Sequence, residues 1–174
     1  TLVHIILEQQ VSLASARAAF TRLQAVLGDV TPQAFLTLDD AQLKTIGFSR
    51  QKTGYARGLA QAIREGRFDP HDLAHLEDDD VRQRITALKG LGAWSADIYL
   101  LMALLRPDIF PAGDLALALA VQRAKHLPAL PTGTELQQMA LAYRPHRAVA
   151  ARMFWHYYLS DPAARSRKSA PPAA

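Results

Sequence analysis

Apolar residues recur along this chain at the three- and four-residue spacing of helix faces. They fall in short segments divided by Gly, Pro and small polar residues, and no stretch alternates with the period of two that a half-buried strand needs. Residues 2–7 open in apolar helical pattern. Ser12 predicts the N-cap of a helix through Leu27, with Gly28 as its stop. Thr31-Pro32 starts a short helix with Pro in its first turn, and Asp39 starts another that Gly47 ends. Ser49 caps a helix to Glu65, closed by Gly66. Asp69-Pro70 repeats the cap-plus-Pro signal, and Asp78 opens a helix to about Leu88. The next helix runs from about Ala93 to Leu105, where Arg106-Pro107 breaks it. Asp114 opens a helix ending before Pro128, Thr134 opens another to Tyr143, and after Arg144-Pro145 the last helix reaches Leu159. The tail from Asp161, made of Pro, Ala, Ser, Arg and Lys, reads as disordered. The predicted fold class is therefore all-α, with about ten short helices in residues 1–160. Caps at such short spacing argue against a long bundle or coiled coil, and no segment repeats at a fixed period.

A chain of 174 residues suits one domain or two small lobes sharing a core. The formal charge of +4 mildly favours a polyanionic partner. With no cysteine, disulfides, thiol catalysis, thiolate zinc sites and cysteine-ligated iron–sulfur clusters are excluded. No segment reaches the roughly 18 apolar residues a membrane span needs, and no secretory signal is visible. The chain begins at Thr1 already in helical pattern, so a preceding segment is expected. The acidic run Glu77-Asp78-Asp79-Asp80 reads as a solvent-facing helix N-terminus rather than a metal site. His71 and His75 lie four apart but lack a third partner, and the other histidines share no ligand geometry.

Candidate chemistry concentrates in the run from Leu88 to Asp97 and in Asp114 beyond it. Gly90 and Gly92 form a tight hairpin; both tolerate positive φ and, lacking a Cβ, let another chain approach the backbone. The N–H groups of the hairpin and of the helix starting at Ala93 then point outward together, which makes a socket for one phosphate. A plain helix C-cap turn would account for one glycine but not for two at this spacing. Asp114 sits where a helix begins. As a simple N-cap it is worth about 1 kcal/mol, and the same N–H groups that it caps favour a carboxylate's charge. A phosphate socket followed by such a carboxylate points to chemistry on nucleic acid. On helical spacing alone Trp94, Tyr99, Trp155 and Tyr158 read as core, and Ser49 as a cap with the solvated basic residues Arg50 and Lys52 behind it.

Four ordered blocks resemble the helix-hairpin-helix base-excision DNA glycosylases, and within them the bacterial 3-methyladenine DNA glycosylase II branch. They are Ile6-Leu7-Glu8-Gln9-Gln10-Val11-Ser12; Gly47-Phe48-Ser49-Arg50-Gln51-Lys52 with Tyr55; the hairpin with Trp94-Ser95-Ala96-Asp97 and Phe110-Pro111-Ala112-Gly113-Asp114; and Tyr143-Arg144-Pro145-His146-Arg147-Ala148 through Trp155. The resemblance implies a two-lobed helical fold with a helix-hairpin-helix DNA-binding motif and a groove between the lobes. It implies that a damaged nucleotide is flipped into a pocket, and that Asp114 is the catalytic carboxylate. Trp94, Trp155, Tyr99 and Gln10 would line that pocket. Lys89, Gly90, Gly92 and Ala93 would meet DNA at the hairpin, and Phe48, Ser49 and Arg50 at the family's intercalating wedge, with Lys52 beyond them on a phosphate or in solvent. The family commonly holds a monovalent cation, Na⁺ or K⁺, on hairpin carbonyls that fall here on Thr86, Leu88 and Leu91; no cofactor is required. Lys89 departs from the family's usual Pro. Arg147 would pin the closing helix through a carboxylate.

Trp94 sets the expected subclass. Bifunctional relatives of the endonuclease III type carry at this position a lysine that forms a Schiff base with the sugar. A Trp there implies a monofunctional enzyme that excises alkylated purines, such as 3-methyladenine and 7-methylguanine, and leaves the strand intact. A base alkylated at N3 or N7 is already cationic and departs neutral, so one carboxylate suffices where O-glycosides need two. The alternatives are a bifunctional or oxidised-base glycosylase, which needs that lysine and usually a cysteine cluster, and a non-catalytic binder of DNA structure, which would lack the acid at 114. The implied partner is double-stranded DNA with a damaged base, met by a monomer without a membrane, in the cytoplasm and associated with the nucleoid in a bacterium.

Overall fold

The computed structural model describes residues 1–160; residues 161–174, where the sequence predicts a disordered tail, lie outside the described residues. Among the described residues there are ten α-helices, two short 3-10 helices and no strand. None of these helices is long and apolar enough to cross a membrane. The chain divides into two compact units, Thr1–Tyr99 and Leu100 onward.

The first unit holds α1 (Leu2–Glu8), α2 (Leu13–Leu27), α3 (Pro32–Thr37), α4 (Asp40–Ile46), α5 (Arg50–Arg64), a 3-10 helix (Asp72–His75), α6 (Asp78–Thr86) and the first turns of α7 (Ala93–Met102). Its boundaries follow the caps. Ser12, Thr31, Asp39 and Ser49 each accept a backbone N–H three residues on, and Asp39 closes a reciprocal box with Gln42. Leu23, Phe35, Leu43, Leu73 and Ile85 are fully buried. Helix α1 packs on α2 and α5, and α3 on α5. The Asp69-Pro70 signal yields only the 3-10 turn, because the Asp69 carboxylate accepts from His71 N–H at 2.8 Å and holds a local turn instead.

The second unit holds the end of α7, α8 (Leu115–Ala124), α9 (Gly133–Ala140), a 3-10 helix (Leu141–Tyr143) and α10 (Arg147–Ser160). Leu100, Leu101, Ile109, Leu117 and Leu136 form its deepest layer, and α8 packs along α10 around Ala120 and Tyr158. Boundaries differ from the sequence pattern at the end of α7 and at both ends of α9, whose last three expected residues form the 3-10 helix Leu141–Tyr143. Helix α7 stops at Met102 rather than Leu105: Arg106 precedes a proline and is pushed out of the helical region, so the turn is made early, with Leu105 left-handed at φ 55° and Arg106 N–H on Leu100 C=O at 3.0 Å. Helix α9 is capped by Thr132, not Thr134, because Thr132 and Glu135 satisfy each other's backbone N–H groups in a capping box.

Candidate active site

In the first unit the hairpin between α6 and α7 is built from below. Gly90 takes φ 90°, and a Cβ there would clash with the Tyr55 ring, so both its conformation and the space beneath it demand glycine. Gly92 does not adopt positive φ, which corrects the expectation for the pair; it is exposed, with open space where a side chain would stand. Its carbonyl accepts from Ala96 N–H at 3.1 Å and so begins α7. Gly92 and Ala93 both face solvent at that helix start. Nothing in this unit crowds Gly92, so the missing side chain leaves its backbone open to approach from outside.

Three further contacts fix the hairpin. Gln9 Nε2 donates to Gly90 C=O at 2.8 Å and, at 3.4 Å, to the hydroxyl of Ser95, which is 1% exposed. Arg82 on α6 donates from Nε to Asp97 on α7 at 2.9 Å and from Nη1 to Asp79 at 2.7 Å. This clamps the two helices that flank the turn. Gln51 Nε2 meets Tyr55 Oη at 2.6 Å. The sequence pattern did not mark Tyr55, Arg82 or Asp97 as supports; the i, i+3 spacing of Asp79 and Arg82 is the one local signal that could have pointed to Arg82.

Several expected DNA contacts lie elsewhere. Phe48 is 3% exposed and packs edge-on against Phe35 at 5.6 Å, so it is core and not a wedge. The cause is a Schellman turn: Gly47 is left-handed at φ 117°, Gly47 N–H reaches Lys44 C=O, and Phe48 N–H reaches Leu43 C=O at 2.9 Å. The residue after such a glycine turns inward onto the helix it has just left. The Lys52 side chain is drawn toward α1. Its ammonium donates to Leu7 C=O at the end of α1, at 2.7 Å, and burial lowers its pKa. Tyr99 is 7% exposed, with burial raising its phenol's pKa; it lies in the buried layer with Ala96, Ile98 and Leu100 of α7. Ser49, whose hydroxyl accepts Lys52 N–H at 3.2 Å, and Arg50 are exposed, as are Lys89 and Gln10. Gln10 has positive φ, 56°, a strained backbone for a residue with a side chain. Trp94 is half-buried in the first turn of α7.

In the second unit Asp114 is the N-cap of α8, at φ −86° and ψ 117°. Its Oδ1 accepts Leu117 N–H at 2.7 Å and the indole N–H of Trp155 at 3.0 Å. Trp155 comes from α10, which packs on α8. The carboxylate is thus fixed by one donor of its own helix and one of the neighbouring helix. The tryptophan's hydrogen bond to the acid is a role that its helical spacing did not reveal. Helix α10 is in turn anchored by Asp108. This carboxylate accepts Arg147 Nε at 2.7 Å, Arg147 Nη2 at 3.0 Å and Arg147 backbone N–H at 3.3 Å, with Arg144 Nε 3.5 Å away. Hydrogen bonding from Arg147 holds the Asp108 pKa below the ordinary carboxylate value. Arg152 of α10 also donates to Leu101 C=O at 2.8 Å, satisfying one of the open carbonyls at the end of α7.

No cluster of three or more His, Cys, Asp or Glu that could hold a metal occurs among the described residues. A cation at the hairpin would therefore rest on backbone oxygen. Of the three expected carbonyls, that of Leu88 accepts Leu91 N–H at 3.1 Å and retains a second lone pair for an ion.

A glycine hairpin joining two clamped helices, in an all-helical chain with one aspartate capping a later helix, defines the helix-hairpin-helix class. Residues 3–144 match the HhH-GPD superfamily of base excision DNA repair proteins, and the chain belongs to that family. The match includes the hairpin and Asp114; Trp155 lies beyond it. DNA-3-methyladenine glycosylase 1 of Schizosaccharomyces pombe is 27% identical over 158 residues, 88% of this chain and 69% of that protein. A Bacillus subtilis protein named as a candidate DNA-3-methyladenine glycosylase is 25% identical over 162 residues, 88% of this chain but only 56% of its own length. The chain thus spans little more than half of that relative. The solved structure of the S. pombe 3-methyladenine DNA glycosylase in complex with abasic DNA is similar with a TM-score of 0.84 at 26% identity, over 88% of this chain and 77% of that one.

Proposed function

We propose that the protein is a monofunctional DNA glycosylase that flips an alkylated purine out of the duplex and hydrolyses its N-glycosidic bond. The observation that carries the reading is the Asp114 carboxylate, held at the start of α8 by Leu117 N–H and the Trp155 indole N–H, in a chain of the HhH-GPD family. The names of the relatives above support 3-methyladenine and related bases as substrates.

In this reaction the C1′–N bond breaks heterolytically and its electron pair leaves with the base. A base alkylated at N3 or N7 is cationic beforehand and becomes neutral on departure, so no acid is needed to protonate it. Positive charge develops on the deoxyribose at C1′, and the Asp114 carboxylate stabilises it. Water adds to C1′ and passes a proton to that carboxylate. Two fixed donors on Oδ1 keep the acid from turning during the step. Trp94 contributes by stacking on the cationic base, a cation–π preference of about 0.5–2 kcal/mol over a neutral one. DNA is held at the hairpin, where the open backbone of Gly92 and Ala93 meets a phosphate; a Na⁺ or K⁺ ion on the Thr86, Leu88 and Leu91 carbonyls would stiffen that turn and add positive charge.

The test is base release from an N-methylated duplex, followed by gel analysis with and without alkali. Release of methylated purine with strand breaks only after alkali is the expected result. Breaks without alkali would remove the monofunctional assignment, and no release would remove the glycosylase reading.

A further inference from the structure

Helix α5 carries two interior glycines, Gly54 and Gly58, both exposed, with open space where a side chain would stand. An interior glycine weakens a helix relative to alanine, and neither position has the positive φ or the close neighbour that demands glycine at Gly90. Gly54 opens onto a depression of about 540 Å³ lined by Arg50, Gln51, Gly54, Tyr55 and Lys89. Two of these residues are cationic and none is acidic. Arg50 comes from the first turn of α5 and Lys89 from the hairpin, so two separate elements direct positive charge at one space. Tyr55 ties the two elements together: its ring lies under Gly90, next in sequence to Lys89, and its hydroxyl accepts from Gln51 Nε2 of α5 at 2.6 Å.

We propose that this depression is a second anion subsite that takes a backbone phosphodiester of the DNA strand beside the phosphate at the hairpin. Lys89 and Arg50 neutralise it, and the bare backbone of Gly54 lets the sugar-phosphate lie on α5. The assignment rests on the DNA-binding reading above and extends it from one phosphate contact to a path over α5.

The test is duplex binding by the full chain across a range of salt, for wild type, Lys89→Ala, Arg50→Ala, the double variant and Arg64→Ala. The last removes the same charge from the far end of α5, about 21 Å away. Each of the first two substitutions is expected to lower the slope of log K against log salt by about 0.9, and the pair by about twice that. The change is the same on damaged and undamaged duplex, because phosphates carry no sequence. Arg64→Ala leaves the slope as in wild type. Gly54→Leu fills the floor; it weakens DNA binding while the melting temperature holds or rises, which separates loss of the subsite from loss of fold. Slopes for Lys89→Ala and Arg50→Ala that match Arg64→Ala would overturn the proposal. So would Lys89-dependent stabilisation by low inorganic phosphate alone, which would make the groove a site for a free anion. If those slopes match Arg64→Ala while methylated base is still released, only the subsite fails. If the slopes fall but no base is released, only the glycosylase reading fails.

Discussion

Single side chains show how local rules and function overlap here. Asp114 was legible in the sequence as an N-cap, and it is one, yet the Trp155 indole on the same oxygen is a tertiary contact that no local pattern encodes. Replacing Trp155 by Phe keeps the aromatic packing and removes the N–H. Excision is expected to slow by about tenfold, with substrate affinity little changed, because one hydrogen bond to a charged group is worth about 1.5 kcal/mol or more; single-turnover rates against binding measurements check it. Gly90 was legible as a glycine that a turn requires, but not as the lid on Tyr55. Gly90→Ala meets both the left-handed backbone and the ring, so the protein should lose about 2 kcal/mol or more of stability, read as a lower melting temperature. Phe48 shows the opposite case. Its place in the motif pointed to a wedge, whereas the glycine before it commits the side chain to the core through Schellman geometry.

At the scale of elements, caps and breakers in the sequence placed most helices, because the caps Ser12, Thr31, Asp39, Ser49 and Asp114 each accept an N–H from the first turn that follows them. The misses fall at the early end of α7, where Arg106 N–H turns back to Leu100 C=O, and at the start of α9, where the local Thr132-x-x-Glu135 box outcompetes Thr134 as the cap. What the pattern could not supply is how elements are tied. Gln9 reaches the hairpin from the end of α1, Arg82 bridges α6 and α7, and Asp108 receives both the side chain and the first N–H of α10. The last tie has a pH signature. Because Arg147 depresses the Asp108 pKa below its ordinary value of 3.8 in the folded state, the pair's stabilisation is complete above that value and is lost as pH falls through the lower, folded-state pKa. The pair is about a quarter exposed on both sides. Asp108→Asn should therefore cost only about 1 kcal/mol near neutral pH. The gap between variant and wild type should close at strongly acidic pH, in thermal melts followed by circular dichroism. A gap that stays constant into acid would deny the pair this role.

For the molecule as a whole, the all-α class was legible from periodicity, and family membership came from four ordered motif blocks rather than from any one of them. Composition added only exclusions: no cysteine chemistry, no membrane-crossing helix among the described residues and a modest positive charge. The hairpin and the aspartate are both present, each held by contacts within its own unit, and the proposed reaction needs a carboxylate for the sugar and nothing acidic for the leaving base. This makes one measurement more direct than the rest. Single-turnover release of methylated purine should be compared for wild type and Asp114→Asn, a variant of nearly the same shape, after duplex binding and melting temperature have been shown to match. The account predicts a fall of about 10²–10³-fold or more with binding retained. Release by Asp114→Asn at the wild-type rate would contradict it.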